Sequence, residues 1–476
     1  MPDSDSPPAM PIPMGVLETG GFAAGIDPGV IQQLRLQGTG GNVSKDIIKA
    51  KGQSDAAHFG MVGGELNADN LAKAGWAVMF GASNDKSIRT NLSPLIEHRK
   101  KQVDNDALFK ILDPPAPKQS AADWLAGFKT SLNVVDPSKG VPYYVLIVAA
   151  PEDISFEFQY ELDLYWAVGR LWLESADAFE RYAQSVVAYE TQSKVSSSRK
   201  IVLFAPDYNG KDNGASKLLC SNLVNPLIQN PIGHDEKFKI ESFVGATATK
   251  SKLNDIFAGT DSTPTLLFSG SHGLLKLPTS KELPDAQGAI VCQDWPGDPT
   301  PPLDNTYYAG WDLPKDAKLH GMVHFLFDCY GAGWPRYDTY NSKPNVEISP
   351  APMMARLPQK LLGQENGALA VLGHIDRSWS YSYEVSGQPM DQSFRDVLTK
   401  LMNGYRFGSA TDQFNFRWAA LSIPLSDTLQ KMQTRRGLDQ LAAQQWIARD
   451  DARNYILHGD PAIKLRVDEK EMPPLG

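Results

Sequence analysis

Two segments of the 476-residue sequence follow an apolar run with a residue that can do covalent chemistry. The first, Leu266–Gly273, places His272 in a loop between glycines, and the second, Phe325–Gly333, places Cys329 in a loop of the same kind. Glycines there let the backbone turn sharply and let a substrate approach. Because a thiolate is a nucleophile and an imidazole can take and return its proton, this dyad predicts covalent catalysis, with Cys329 as nucleophile and His272 as acid and base.

The same two loops also offer hydrogen-bond donors for a developing negative charge. Backbone N–H groups of Gly273 and Cys329 are the expected oxyanion donors, and one such donor typically contributes roughly 3 kcal/mol. Each dyad residue alone has a structural explanation, since a histidine can be a hydrogen-bonded core residue and a buried cysteine a small hydrophobe. Both together, on two strand-end loops flanked by glycines, favour catalysis.

The remaining thiols and histidines give weaker signals. Cys220 falls in a helical stretch with apolar neighbours and Cys292 ends an apolar run, so both are expected in the core. A metal site built from the dyad and His320 or His324 lacks the ligand spacing of zinc motifs. Covalent catalysis by a thiol and an imidazole needs no cofactor, and neither a cofactor nor a metal is predicted.

Apolar runs that alternate with amphipathic stretches must position these loops. This rhythm predicts an α/β fold in which helices flank both faces of a central, mostly parallel sheet, with the site beyond the carboxyl ends of the strands. The predicted strands are Gly75–Phe80, Val141–Ala149, Ile201–Ala205, Phe238–Val244, Thr265–Ser269, Val323–Phe327, Ala368–Gly373 and Ile463–Val467. The predicted helices are Val30–Leu36, Lys86–Gln102, Ala121–Leu132, Ala176–Gln192, Ala215–Ile228, Lys250–Phe257 and Gln430–Asn454.

Composition and charge restrict the partners and the compartment. A net charge of −9 with mixed signs gives no reason to expect nucleic acid or an anionic membrane, and no apolar run is long enough to span a bilayer. The first residues are acidic and proline-rich and lack the basic and apolar regions of a signal peptide, so a cytoplasmic protein is expected. We predict a flexible segment over 1–60, a small α/β subdomain over 61–140 and a larger domain over 141–476 that carries both dyad residues.

The order Ser271–Gly273 and then Asp328–Gly331, each after an apolar strand, resembles the caspase-like superfamily of cysteine peptidases, especially its gingipain and CHAT-domain branch. The resemblance runs from about Val141 to Val467, so 141–476 is the expected caspase-like peptidase domain. It implies a caspase/gingipain-like fold, hydrolysis of a protein or peptide substrate through a thioester acyl-enzyme, and activation by proteolysis or by a partner protein, as in many relatives. Three further segments support it: Gly288–Cys292, Gly367–Gly373 and Leu457–Ile463.

The resemblance also implies which loops form the primary substrate pocket. They contain Glu152 and Asp153 after an early strand, Asp328 beside the cysteine, and Asp376 and Trp379 after the following strand. Carboxylates facing the pocket would favour Lys or Arg at the scissile position through charge-assisted hydrogen bonds. Each could instead be an ordinary loop carboxylate or helix cap, strand alternation could turn Asp328 away, and Trp379 could be a packing residue.

Two other functions stay open on the sequence. A catalytically inactive scaffold could keep the fold and bind a peptide or protein partner. A peptide ligase or amidase could use the same dyad with an amine in place of water.

Overall fold

The structure is a computed structural model that describes residues 10–36, 67–132, 135–230, 232, 237–385, 387–468 and 470–472. Predictions that fall on 1–9 and 37–60 lie outside the described residues. The described strands are β1 (Gly15–Leu17), β2 (Trp76–Phe80), β3 (Phe109–Leu112), β4 (Tyr144–Val148), β5 (Ala167–Arg170), β6 (Ser198–Ala205), β7 (Lys239–Val244), β8 (Pro264–Gly270), β9 (Gly273–Leu275), β10 (Ile290–Val291), β11 (Tyr307–Tyr308), β12 (Val323–Phe327), β13 (Gly333–Trp334), β14 (Met353–Met354), β15 (Ala370–His374), β16 (Glu384–Val385), β17 (Gln388–Pro389) and β18 (Tyr455–Gly459).

Helices connect most of these strands, and several begin at a side chain that caps the first turn. Ser155 and Thr249, for example, accept hydrogen bonds from backbone N–H groups of the helices that follow them. The described α-helices are α1 (Pro28–Leu36), α2 (Leu71–Ala74), α3 (Lys86–Asn91), α4 (Ser93–Val103), α5 (Ala121–Ala126), α6 (Phe156–Asp163), α7 (Ala176–Thr191), α8 (Ala215–Leu219), α9 (Asn225–Gln229), α10 (Lys250–Ala258), α11 (Leu283–Ala286), α12 (Arg356–Gly363), α13 (Gln392–Met402), α14 (Phe407–Lys431) and α15 (Asp439–Arg453).

A ten-stranded sheet forms the centre of the molecule, in the order β3-β2-β4-β5-β18-β15-β12-β8-β6-β7. All neighbours in it are parallel except β15 and β18. The strands on the two sides of this antiparallel pair therefore run in opposite directions. As a result, the carboxyl ends of β8 and β12 lie at the same edge as the amino ends of β4 and β5.

Helices pack on both faces of this sheet because successive side chains of a strand point to opposite faces. Phe325 of β12 contacts Phe394 of α13 and Phe414 of α14, at ring-centroid distances of 5.6 and 5.8 Å. His324, the preceding residue, faces Phe257 of α10 at 5.9 Å. The predicted α/β class with a mostly parallel central sheet is confirmed.

The C-terminal part of the chain departs from two predictions. Strand Ile463–Val467 was wrong: the last described strand is β18, Tyr455–Gly459, whose insertion between β15 and β5 leaves Ile463 beyond the sheet. The single helix Gln430–Asn454 was also wrong. Two helices, α14 and α15, are separated by a turn in which Gly437 has φ +81°, a conformation that favours glycine. Strands β3 and β5 were not predicted.

The described N-terminal residues pack against the sheet edge. Strand β1 pairs in parallel with β9, which joins β10 and β11 in a small four-stranded sheet. Strands β2 and β4, on either side of the predicted boundary at 140/141, pair directly. The three-part division of the chain stays a prediction. No helix in the described part of the chain is long and apolar enough to cross a membrane.

A buried ion cluster ties the end of β18 to the helices on the far side of the sheet. Arg99 of α4 donates to Asp460 at 2.7 Å and to Glu190 of α7 at 2.6 and 2.7 Å. The indole N–H of Trp76 donates to the other oxygen of Asp460 at 2.9 Å. Each of the four carboxylate oxygens of Asp460 and Glu190 therefore accepts a hydrogen bond, as buried charges require.

Candidate active site

The loops that carry the dyad meet at the carboxyl ends of β8 and β12. These strands are parallel neighbours, with Gly270 opposite Phe327, and the Ser271 N–H donates to the Phe327 carbonyl at 3.0 Å. A Cβ built on Gly273 would lie 2.0 Å from the carbonyl oxygen of Cys329. Gly273 therefore permits the close approach of the two loops that any side chain there would prevent.

Cys329 is completely buried and sits at the start of a sharp turn. The next residue, Tyr330, has φ +62°, which is strained for a bulky side chain, and its N–H donates to the Asp376 carbonyl at 3.0 Å. The thiol lies 3.7 Å from the Ser378 carbonyl oxygen. Burial raises the pKa of Cys329, and the contacts with Ser378 only partly oppose this shift. The thiol is thus protonated in this state of the chain.

His272 is held by a carboxylate that the sequence analysis did not identify. Its Nε2–H donates to Asp212 Oδ2 at 2.9 Å, and both side chains are fully buried. Its ring stacks on Tyr208 at 5.7 Å. Nδ1 makes no hydrogen bond to any described residue, so its lone pair is free to accept a proton.

Asp212 remains ionised under all ordinary conditions. Although burial raises its pKa, the hydrogen bond and charge of His272, together with hydrogen bonds from Ser216, bring the pKa of Asp212 down to about 2. A fixed carboxylate of this kind selects the tautomer of the histidine with a proton on Nε2 and stabilises an imidazolium. Asp212 therefore has the geometry of the third member of a catalytic triad.

A sequence signal for Asp212 existed, but its meaning depends on strand order. The polar loop 208–214 follows a predicted strand, just as the two dyad loops do. In the structure that strand is β6, the direct neighbour of β8, so the loop reaches His272. Nothing in the sequence alone says which strands are neighbours.

The two predicted oxyanion donors converge on one carbonyl oxygen, and it belongs to the protein itself. The N–H of Gly273 donates to the Met14 carbonyl at 2.9 Å, and the N–H of Cys329 donates to the same oxygen at 3.3 Å. The next residue, Gly15, lies against the thiol, since a Cβ built on it would be 3.1 Å from Cys329 Sγ. The Met14–Gly15 peptide therefore crosses the dyad.

Residues 12–23, hereafter the N-terminal segment, pass through the cleft. Residues 12–17 are extended, and a turn over 18–21 folds Phe22 back to pair with Val16. The Met14 N–H donates to the Ser378 carbonyl and the Ser380 N–H donates to the Ile12 carbonyl, each at 2.9 Å. Beyond Met14, β1 pairs in parallel with β9. The segment therefore pairs antiparallel with Trp379 before the Met14 carbonyl and in parallel with β9 after it.

The side chains of the N-terminal segment fill pockets around the dyad. Met14 is fully buried, and the Tyr383 hydroxyl donates to its sulfur at 3.4 Å. Phe22 returns over His272, with ring centroids 5.9 Å apart. The Asn213 amide donates to the Pro13 carbonyl at 3.3 Å. The side-chain partners of Pro13 and Met14 named here are thus neutral polar groups.

The predicted pocket residues do not come together around Met14. Glu152 and Asp153 follow β4, whose carboxyl end lies at the sheet edge opposite the dyad because the two halves of the sheet run in opposite directions. Asp153 instead hydrogen-bonds Ser83. Trp379 does reach the cleft: it is buried and its backbone forms a bridge with Pro13.

Of the other two carboxylates, Asp376 has local structural partners, whereas neither oxygen of Asp328 has a hydrogen-bond partner among the described residues. Asp376 accepts from the Thr339 hydroxyl at 2.5 Å and from the Arg377 N–H at 2.7 Å. Asp328 is fully buried, and burial raises its pKa well above the ordinary value even though the Gly331 N–H opposes this. A basic preference at the scissile position stays a prediction, and these carboxylate positions do not support it.

The other cysteines lie away from the cleft in the core. Cys292 follows β10, Cys220 follows α8, and both are buried. Burial raises the pKa of Cys220 to about 12 and that of Cys292 well above its usual range. Among residues 10–36, 67–132 and the later described ranges, His, Cys, Asp and Glu do not gather in a group of three that could hold a metal ion.

Comparisons with known proteins give only distant likenesses. No family model matches the sequence, and no curated protein matches it. A solved structure described as that of a protease aligns with a TM-score of 0.47 and 12% identity over 83% of this chain and 79% of that chain. The complex of Porphyromonas gingivalis RgpB pro- and mature domains aligns with a TM-score of 0.45 and 12% identity, over 83% of this chain and 80% of that chain. At these scores the likenesses carry no functional argument, and the function must be argued from the geometry.

Proposed function

We propose that the protein is a cysteine endopeptidase in which Cys329 is the nucleophile, His272 the acid and base, and Asp212 the residue that positions His272. The Gly273 and Cys329 N–H groups would bind the oxyanion. Trp379 would line the substrate cleft. We also propose that the chain belongs to the caspase-like superfamily, and within it to the gingipain and CHAT-domain branch. It would hydrolyse proteins or peptides in the cytoplasm.

One observation carries the proposal: two backbone N–H groups, one of them from the nucleophile itself, donate to a single carbonyl oxygen beside a cysteine and a histidine. A carbonyl held in this way is polarised at its carbon, and the same donors bind the negative oxygen more tightly as it forms. A cysteine buried only for packing has no reason to share a carbonyl with the loop of a histidine.

The reaction follows from these positions. The Cys329 thiol gives its proton to His272 Nδ1 while sulfur forms a bond to the substrate carbonyl carbon. The C–N bond then breaks as His272 delivers that proton to the leaving amine, which leaves a thioester on Cys329. Water attacks the thioester with His272 as base, the C–S bond breaks, and a carboxylate and the free thiol result.

The pocket beside the dyad favours an apolar, unbranched side chain. Tyr383 is buried, and its hydroxyl donates to the Met14 sulfur, so this site offers a neutral donor and no carboxylate contact to the side chain that it holds. We therefore expect methionine-like residues before the scissile bond, and the basic preference predicted from the acidic loops is the alternative. Matched peptides with Met, Lys or Arg at that position decide between the two.

The test uses the full chain with Met14→Asp, because a charge at this buried position opposes docking of the N-terminal segment and opens the cleft. We expect this chain to cleave the Met peptide, and addition of Cys329→Ala or His272→Ala to lower the rate by at least ~1000-fold. Cys292→Ala, which removes another buried thiol, is the matched control and keeps the rate.

The inactive scaffold makes the opposite prediction. A scaffold would bind the Met peptide in the opened cleft and return it intact, as seen by mass spectrometry of the recovered peptide. Cleavage that persists unchanged after Cys329→Ala would show another nucleophile and would refute the proposal.

A further inference from the structure

We propose that the N-terminal segment is the enzyme's own first substrate, and that Cys329 cleaves the Met14–Gly15 peptide bond within the same chain. This inference rests on the proposed function and adds its substrate and its activation step.

The first support is the position of the bond. The Met14 carbonyl oxygen occupies both predicted oxyanion donors, and Gly15 lies against the thiol. The Gly273 N–H is the ladder partner of this carbonyl in the β1–β9 pairing, and the Cys329 N–H is a second donor that the ladder does not supply. The placement is therefore that of the scissile carbonyl of a bound substrate.

The second support is the binding of the residues on both sides of the bond. Before it, Ile12 and Met14 exchange backbone hydrogen bonds with Ser378 and Ser380, which gives main-chain recognition of an extended peptide. After it, Glu18 is fixed by a salt bridge from Lys276 at 3.2 Å and by the Leu277 N–H at 2.8 Å. Both flanks are held, so the central peptide has little freedom to leave the dyad.

The third support is the residue type on each side of the bond. A Cβ on Gly15 would lie 2.7 Å from Leu275 and 3.1 Å from the Cys329 sulfur, so only glycine lets the chain pass over the thiol. Met14 fills a buried pocket next to Tyr383. A charged side chain at this position would have to enter a buried site, which is unfavourable.

The chemistry balances with water as the only other reactant. Sulfur bonds to the Met14 carbonyl carbon, the thiol proton passes through His272 to the Gly15 nitrogen, and the C–N bond breaks. The peptide that ends in Met14 is then released from Cys329 by hydrolysis, which restores the thiol. The products are a carboxylate at Met14 and a new amino terminus at Gly15, and the part of the cleft before the bond is vacated.

The test is the mass and N-terminal sequence of the full chain over time. We expect a new N-terminus at Gly15, formed with a first-order rate that does not change with chain concentration. Cys329→Ala leaves the bond intact, even when it is mixed with the parent chain. Met14→Asp lowers the rate by roughly 100-fold or more, because a carboxylate must enter a buried pocket. Met10→Asp, at an exposed methionine of the same stretch, keeps the parent rate.

A parallel assay separates this inference from the proposed function. The parent and Met14→Asp chains are each given the peptide Ile-Pro-Met-Gly-Val-Leu. Suppose that the peptide is cut between Met and Gly while the parent chain keeps its own Met14–Gly15 bond. The proposed peptidase activity is then supported, the self-cleavage is overturned, and the segment is an inhibitor. If neither chain cuts the peptide, the proposed function fails and the inference fails with it. Cleavage of Cys329→Ala by the parent would overturn the intramolecular step.

Discussion

At the scale of single residues, the site depends on two buried polar groups with opposite protonation states. Burial keeps Cys329 as a thiol, whereas Asp212 is an anion because His272 and Ser216 donate to it. His272 donates to this anion through Nε2, and its Nδ1 is unengaged among the described residues. The Cys329 thiol itself lies beneath the chain's own Met14–Gly15 peptide.

Asp212→Asn tests the residue that positions His272. The amide keeps the shape but removes the charge that stabilises an imidazolium, so we expect the kcat for the Met peptide to fall by roughly 100-fold or more with little change in KM. Asp207→Asn, at a half-buried carboxylate just before this loop that accepts the Asn209 N–H, is the control. An unchanged kcat would remove Asp212 from the mechanism.

The same substitution has a pH-dependent effect on stability. The pKa of Asp212 is about 2 in the folded chain, below its unfolded value, so its charge stabilises the fold above about pH 4 and this contribution is lost as pH falls toward 2. We expect urea unfolding to give parent and Asp212→Asn free energies that differ by on the order of 2 kcal/mol at pH 6. The difference shrinks toward pH 3, whereas one that grows on acidification would contradict this.

At the scale of the elements, the contact between the loops after β8 and β12 makes the site. Gly273 is the residue on which this contact depends, because its Cα lies against the Cys329 peptide. The turn at Tyr330 directs the thiol into the cleft, and it requires a strained left-handed backbone conformation at that residue. Loop 375–383 after β15 supplies the opposite wall, with Ser378, Ser380 and Tyr383 on the N-terminal segment.

Gly273→Ala should separate the two loops. The added methyl group meets the Cys329 carbonyl oxygen at 2.0 Å, so the backbone must shift and the shared oxyanion site opens. We expect peptide cleavage to fall by at least ~100-fold, comparable to the loss of an oxyanion donor. Gly25→Ala, where a methyl group meets nothing within 4 Å, should change nothing. Retained activity in Gly273→Ala, measured with the Met14→Asp background, would contradict the geometry.

The sequence predicted the elements that carry the dyad because their signals are local. An apolar run followed by glycines around His272 or Cys329 needs no knowledge of the rest of the chain. Asp212 and the N-terminal segment were not predicted, since both depend on which distant elements become neighbours. Glu152 and Asp153 were assigned to the pocket from the family resemblance. The antiparallel insertion of β18, about 300 residues later in the chain, reverses that half of the sheet.

At the scale of the whole molecule, β18 joins two parallel half-sheets, and the buried cluster at Asp460 fixes that junction. Arg99 bridges Asp460 and Glu190, and Trp76 of β2 donates to Asp460 as well. The cluster thus links strands and helices that are far apart in sequence. It lies at the sheet edge opposite the dyad, so it acts on stability and not on the reaction.

Asp460→Ala should destabilise the fold without touching the chemistry. The substitution leaves the buried Arg99 without one of its two carboxylates, and breaking a buried pair in this way typically costs about 3–5 kcal/mol. Asp427→Ala, in an exposed ion pair with Lys431, should cost less than ~1 kcal/mol. Denaturant unfolding measures both, and equal small effects would show that the cluster is not structural.

The central claim is that Cys329 forms a thioester, and acid quenching tests it most directly. The full chain with Met14→Asp is mixed with a peptide ester that ends in Met, quenched within the first turnover and digested for mass spectrometry. We predict the mass of the peptide acyl group on the fragment that contains Cys329, none on those of Cys220 and Cys292, and none at all after His272→Ala. Hydrolysis of the ester with no acyl group on Cys329 would contradict the account.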